Sequence, residues 1–300
     1  MEIALIGTGY WGSKLKLYLE ENPHFNLKYL CDSKTDLNKV WMDDTVEAVV
    51  IATRNDSHYD LTKRALQAGK HVLVEKPLAL NSSQAEEIRM DARNRGLKVV
   101  TEYVFTFSKA LALAQKMVAN GDIGKLLGTD FSAKHLGRFG GGSVYWLLGS
   151  HWMSVLDMFI PLETLTFSNH NLVTYDGEVE SGVINFNGDG FAGQISVSLN
   201  YPGKEVQAVL YGEKGTITYN PSATPSLKVV CYNRLRWTVA DKIPRDVAEF
   251  NIDESHNLRN TVEYFWDVLC GVKDDNLDRS VKVTHRLNQL TKTTHHKLKK

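Results

Sequence analysis

The chain has 300 residues, with 35 Lys plus Arg against 35 Asp plus Glu, and 43% of it is hydrophobic. This length supplies two ordinary domains and excludes a single module that depends on disulfides or zinc to fold. The balanced charge leaves nothing that demands a nucleic-acid or membrane partner. The three cysteines, Cys31, Cys231 and Cys270, are too scattered for a disulfide framework or a metal knuckle, so a reducing, cytoplasmic setting is expected.

An aliphatic run over residues 3–6 leads into Gly7, Gly9 and Gly12, after which Leu15, Tyr18 and Leu19 recur at helical spacing. The pattern predicts strand, tight turn and helix. Further short apolar strands are predicted at 27–31, 48–52, 71–74 and from 98 to 101. Helical patterns fill 57–69, with Tyr59, Thr62, Ala65 and Leu66 on one stripe, and 83–95, which closes on Gly96. Buried strands alternating with helices imply a parallel sheet covered on both faces.

The rhythm changes after about residue 104. A helix is predicted over 107–120, and beyond it strands become longer and alternate more clearly. Segments 194–199, 205–211 and 216–219 read as antiparallel neighbours. A last amphipathic helix spans 257–269, with Leu258, Val262, Phe265, Trp266 and Leu269 on its apolar side. The expected division is therefore 1–104 and 105–300.

The first strand runs into Gly7-Thr8-Gly9-Tyr10-Trp11-Gly12, a GxGxxG pattern between strand and helix. In that setting Gly7 serves the tight turn, Gly9 lets the backbone approach a pyrophosphate, and Gly12 allows close helix packing. The helix amino terminus then offers unpaired N–H groups to phosphates. Asp32 ends the second strand about 20 residues on, where a carboxylate accepts ribose hydroxyls. Ser33 and Lys34 follow it and would suit a ribose phosphate, so NAD and NADP both stay open, with NAD slightly preferred.

The segment Ile51-Ala-Thr-Arg-Asn-Asp-Ser-His58, followed by Ala65 to Ala79 with Glu75-Lys76-Pro77, resembles the glucose-fructose oxidoreductase and inositol dehydrogenase (Gfo/Idh/MocA) family. Similarity continues through Gly140-Gly-Gly142, Gly149-Ser-His151 and the 210–217 region. The resemblance implies an amino-terminal Rossmann parallel sheet and a carboxy-terminal α+β domain built on a large open, mostly antiparallel sheet. It also implies NAD or NADP as cofactor, a sugar, cyclitol or related polyol as substrate, and dimers or tetramers formed through the open sheet. Carried over residue by residue, it places Thr53, Asn55 and His58 along the dinucleotide, Glu75 and Lys76 on the nicotinamide side, and His151 in the active site. Two aspartates common in the family near that histidine are replaced here by Leu147 and Ser154.

Oxidising a secondary alcohol needs a hydride acceptor and a group that takes the hydroxyl proton. Lys76 and His151 are the expected catalytic pair, and Tyr103, His135, Arg138 and His151 the expected substrate contacts, with Tyr103 equally readable as packing. The reaction expected is reversible NAD(P)-dependent interconversion of a hydroxyl and a ketone on a sugar-like molecule. Two alternatives stay open. One is a nucleotide-binding or sensing protein without catalysis, favoured by Leu147 and Ser154, and the other is NAD-assisted glycoside cleavage. The scattered histidines and the lack of HExxH predict no catalytic metal.

Overall fold

Short runs of Val, Ile, Leu and Ala favour strands buried on both faces. At the start of the chain they form β1 (Glu2–Ile6), β2 (Asn26–Cys31), β3 (Val46–Ile51), β4 (His71–Glu75) and β5 (Val99–Glu102), joined by α1 (Tyr10–Glu21), α2 (Asn38–Trp41), α3 (His58–Gln67) and α4 (Ser82–Arg95). The sheet is parallel throughout, in the order β2-β1-β3-β4-β5. Its centre is dry: Ile3, Leu5, Val49, Val50, Ile51, Val72, Leu73 and Val74 are fully buried. The helix ends follow local chemistry. Asn81 caps α4 by accepting from the Gln84 N–H at 2.9 Å, and Gly96 ends it at φ +67°. The computed structural model describes residues 1–137, 142–232 and 244–297.

A second unit begins at Phe105 with α5 (Lys109–Asn120). It is built on β6 (Leu126–Leu136), α6 (Ser150–Phe159), β7 (Thr166–Tyr175), β8 (Glu178–Gly188), β9 (Phe191–Ser198), β10 (Asn200–Gly212), β11 (Gly215–Tyr219), β12 (Leu227–Tyr232) and β13 (Pro244–Phe250). These strands form one eight-stranded sheet ordered β13-β12-β11-β10-β6-β9-β8-β7, antiparallel except between β6 and β9. One pairing corrects the sequence reading. Segments 194–199 and 205–211 are not neighbours, because β6 lies between β9 and β10. The chain turns around the end of β6 at Leu199, whose carbonyl accepts from the Gly137 N–H at 2.8 Å. Alternation identifies a strand and its faces, but not the edge it will find.

The chain returns to the first unit at Asn257, so the helices α7 (Asn257–Leu269) and most of α8 (Leu277–Lys297) pack there, although the division at 104 had left them in the second domain. The reason is apolar and local. Phe265 of α7 stacks near Phe25, and Leu277 and Val281 of α8 enter the core cluster that holds Ile6, Ile51, Val74 and Ile88. Asn276 completes the edge strand: the Thr101 N–H donates to its Oδ1 and its Nδ2 donates to the Thr101 carbonyl, both at 2.8 Å. A side-chain amide thus substitutes for a missing strand partner on β5. No helix among the described residues is long and apolar enough to cross a membrane.

Candidate active site

The turn between β1 and α1 is held by backbone sterics. Gly7 has φ +107°, and a Cβ there would lie 2.2 Å from the Ala52 carbonyl oxygen. A Cβ on Gly12 would lie 2.0 Å from the Gly7 oxygen, so helix and turn touch without room for any side chain. The turn is docked by the Gly7 N–H on the Cys31 carbonyl and the Ala52 N–H on the Ile6 carbonyl, both at 2.8 Å. Gly9 is different. A Cβ there would meet nothing within 4 Å, and no side chain caps the helix that begins after it. The space a side chain would fill lies over a helix amino terminus with no acid in its first turn, which fits an anionic phosphate. Thr8 is exposed, as are Tyr10 and Trp11, whose rings meet edge to face with Lys14 Nζ over both.

Asp32 follows the end of β2. Its Oδ1 accepts from Thr35 Oγ1 at 2.8 Å and from the Lys34 N–H at 3.0 Å, and these bonds hold the carboxyl below the usual carboxylate range. Ser33 and Lys34 are exposed beside it. After β3, Thr53 Oγ1 pairs with Ser57 Oγ at 2.7 Å, and half-buried Asn55 opens a short helical turn.

The corner after β4 is organised by buried polar groups. The Lys76–Pro77 peptide is cis. His58 is fully buried, with Nδ1 2.8 Å from the Pro77 carbonyl and Nε2 3.2 Å from the Thr53 carbonyl. Burial lowers its pKa and keeps it neutral, so only one of these contacts carries an N–H, and the shorter one at Nδ1 suits it better. The resemblance placed His58 along the dinucleotide. The structure instead makes it a brace behind the corner, with no surface exposed to a ligand.

Lys76 is half-buried, and burial pulls its pKa down against the opposing pull of Glu75 and Glu102. Glu75 is pushed up to about 7 by burial, with Lys76 and its backbone N–H acting the other way. Glu102 stands opposite it in the β4–β5 register, is itself buried, and has its carboxyl raised well above the ordinary range by burial and then by Glu75. The two carboxyls act on each other's titration, one oxygen of each is buried without a hydrogen-bond partner, and the Thr261 side chain lowers the carboxyl of Glu102 against these effects. Sequence reasoning missed Glu102 and Thr261. The signal was present in two apolar strands, HVLVE and VVTE, that each end in glutamate.

Tyr103, expected at a substrate mouth, is fully buried in the first unit, where burial pushes its hydroxyl pKa up. It takes the packing role. The remaining expected contacts belong to the second unit. His135 is half-buried on β6. His151 is half-buried in the first turn of α6, directly after a wide π-type turn over Tyr145–Gly149, a local irregularity frequent at functional sites. Its ring lies 5.3 Å from that of Phe105, which stacks on Trp152, which in turn stacks on Phe131. Ser154 donates its hydroxyl to the His151 carbonyl at 2.6 Å, and Asp157 accepts from the Leu162 N–H at 3.3 Å. Arg138 lies outside the described residues. Among the described residues no group of three or more His, Cys, Asp or Glu is arranged to hold a metal ion.

The family model for Gfo/Idh/MocA, described as an oxidoreductase family with an NAD-binding Rossmann fold, matches residues 27–103. A 2,7-anhydro-N-acetylneuraminate hydratase from Mediterraneibacter gnavus is 29% identical over 138 residues, 41% of this chain and 37% of that protein. A 1,5-anhydro-D-fructose reductase from Ensifer adhaerens is 36% identical over 93 residues, 31% of this chain and 28% of that protein. The matches thus span about a third of these relatives' own length. Among solved structures, a 3-ketoreductase from Actinomadura kijaniata in complex with TDP-benzene and NADP superposes with a TM-score of 0.82 at 17% identity, over 97% of this chain and 96% of that one.

Proposed function

We propose that this chain, whose residues 27–103 match the Gfo/Idh/MocA family model, is an NAD(P)-dependent dehydrogenase or reductase of that family, interconverting a secondary hydroxyl and a ketone on a sugar, amino sugar or cyclitol derivative. The observation that carries this reading is the presence, in one compact unit, of an open glycine turn at a helix amino terminus and a lysine set on a braced corner. The sugar chemistry in the names of the hydratase and the reductase supports the substrate class.

A bound nicotinamide dinucleotide supplies the hydride acceptor or donor. The N–H groups at the start of α1 would bind its phosphates, with Gly7, Thr8, Gly9, Tyr10, Trp11 and Gly12 around them. Asp32 would accept the ribose hydroxyls and favour NAD, while Ser33 and Lys34 offer NADP a hold. Thr53 and Asn55 would line the path toward Glu75 and Lys76. Lys76 would stabilise a developing alkoxide and exchange its proton. His151 would be the second proton-transfer or substrate-binding group, and His135 a substrate contact.

Lys76→Ala tests the assignment: single-turnover hydride transfer is expected to fall about 100-fold or more, with the Kd for the dinucleotide nearly unchanged. An unchanged chemical rate would remove the lysine from the mechanism. Failure of both NAD and NADP, oxidised and reduced, to bind at millimolar concentration would remove the reading itself. The hydratase similarity favours one second reading, in which the cofactor assists bond cleavage without net redox change. Product release without NADH accumulation would mark it.

We also propose assembly as a homodimer or homotetramer through the second unit's sheet, where Leu172, Val173, Tyr175 and Tyr201 are exposed. Sedimentation as a monomer at micromolar concentration would refute it. A cytoplasmic setting accords with Cys31, Cys231 and Cys270, all free thiols.

A further inference from the structure

Glu75 and Glu102 end neighbouring parallel strands and are direct register partners, so their side chains leave the sheet side by side. Both are buried, at 6% and 2% exposure, and each acts on the titration of the other. Two buried carboxylates side by side repel each other, so the pair keeps one proton before both ionise. The backbone N–H of Lys76 favours the ionised form of Glu75, and the side chain of Thr261 that of Glu102.

We propose that Glu75 and Glu102 share one proton and together set the charge of Lys76, with Glu102 as the positioning residue. This rests on the reading of Lys76 as the proton-transfer group. One carboxylate, one carboxylic acid and one ammonium make a cluster of zero net charge. Moving the ammonium proton to Glu75 leaves two acids and a neutral amine, also of zero net charge, and burial narrows the gap between the two arrangements. In the oxidising direction the neutral Nζ would take the hydroxyl proton, a bound dinucleotide would supply the hydride acceptor, and the cluster would release one proton to water. In the reducing direction the ammonium gives its proton to the alkoxide oxygen. The shared proton then refills Nζ, and the pair regains one from water.

Other groups surround the cluster. Thr261 faces it from α7, and Tyr103 after β5 feels Glu102 on one side and Arg279 of α8 on the other. His58 of α3 feels Lys76. None of them supplies a second carboxylate, so removing Glu102 leaves Glu75 alone with the lysine.

The test is titration of the cofactor-free protein labelled with ¹³C in glutamate and lysine side chains. Wild type is expected to lose the shared proton in a carboxyl titration at or above about 7, the value to which Glu75 is raised. Glu102→Gln is expected to leave Glu75 alone and bring its titration to lower pH. It also removes a negative charge that holds the ammonium on, so the Lys76 titration should move to lower pH by about one unit, and Glu102→Asp should restore part of the shift. Both carboxyls deprotonating in the ordinary carboxylate range, or a Lys76 titration that does not move, would overturn the proposal. Glu75→Gln gives the same readout from the other partner if Glu102→Gln does not fold. With a turned-over sugar, the oxidation rate profile of Glu102→Gln should shift the same way while KM and the Kd for the dinucleotide hold. If no sugar is turned over, the reading of Lys76 fails, and the titrations still decide the pair.

Discussion

The glycine turn and the Lys76 corner lie in the same unit and are built on opposite principles. The turn is exclusion: at Gly7 and Gly12 the backbone comes so close that no side chain fits, and at Gly9 the space is kept open. The corner is partial satisfaction: the buried His58 ring sits against two carbonyls, while Glu75 and Glu102 are buried side by side, each with one oxygen lacking a hydrogen-bond partner. A steric site is rigid and indifferent to pH. A site of buried titratable groups is responsive, because every proton gained or lost changes what its neighbours prefer.

The largest expected effect breaks the turn. Gly7→Ala forces a Cβ to 2.2 Å from the Ala52 oxygen at φ +107°, and denaturant unfolding should show a loss of about 2–4 kcal/mol. Gly9→Ala separates packing from binding. Its stability should stay within about 0.5 kcal/mol of wild type, since the added methyl meets no protein atom. Its affinity for NAD(P) should nevertheless fall about tenfold or more, because the methyl occupies the approach to the pyrophosphate. Equal affinity in this variant would mean that phosphates do not lie over Gly9.

The corner should answer to pH, with two opposite slopes. His58 has a folded pKa below its ordinary 6.5, so its contribution to stability is present above 6.5 and is lost as pH falls through the depressed value. His58→Gln should flatten the acid side of a plot of Tm against pH and cost about 1–3 kcal/mol at neutral pH through the lost brace. Glu75 is raised from 4.5 to about 7, so its contribution is full below 4.5 and is lost as pH rises through 7. Glu75→Gln should therefore gain on wild type between those limits. A parallel pair of curves would show that Glu75 ionises as freely in the folded chain as in the unfolded one.

The same contrast explains what could be read in advance. Exclusion leaves a residue-type signature: three glycines between a strand and a helix are visible in the sequence, and so is Asp32 one strand later. Satisfaction does not. The resemblance places His58 along the dinucleotide, yet only the fold shows it turned toward the Pro77 carbonyl. Glu102 and Thr261 lie 159 residues apart and meet because α7 returns to the first unit. The parallel order of β1 to β5 followed from alternation with helices, whereas the insertion of β6 between β9 and β10 depended on edge choice, which no periodicity records.

Asp32 sits between the two principles, because its carboxyl is exposed yet aimed by the Thr35 hydroxyl and the Lys34 N–H. The smallest expected effects lie here. Asp32→Ala removes both the acceptor for ribose hydroxyls and the repulsion of a ribose phosphate, so the ratio of Kd values should move toward NADP by about tenfold. Thr35→Val leaves the charge and releases one restraint on it, so NAD affinity should fall only about two- to threefold while the preference keeps its sign. If Thr35→Val instead matched the loss in Asp32→Ala, orientation and not charge would decide cofactor choice, and the adenosine end of the site would be closer in kind to the corner than to the turn.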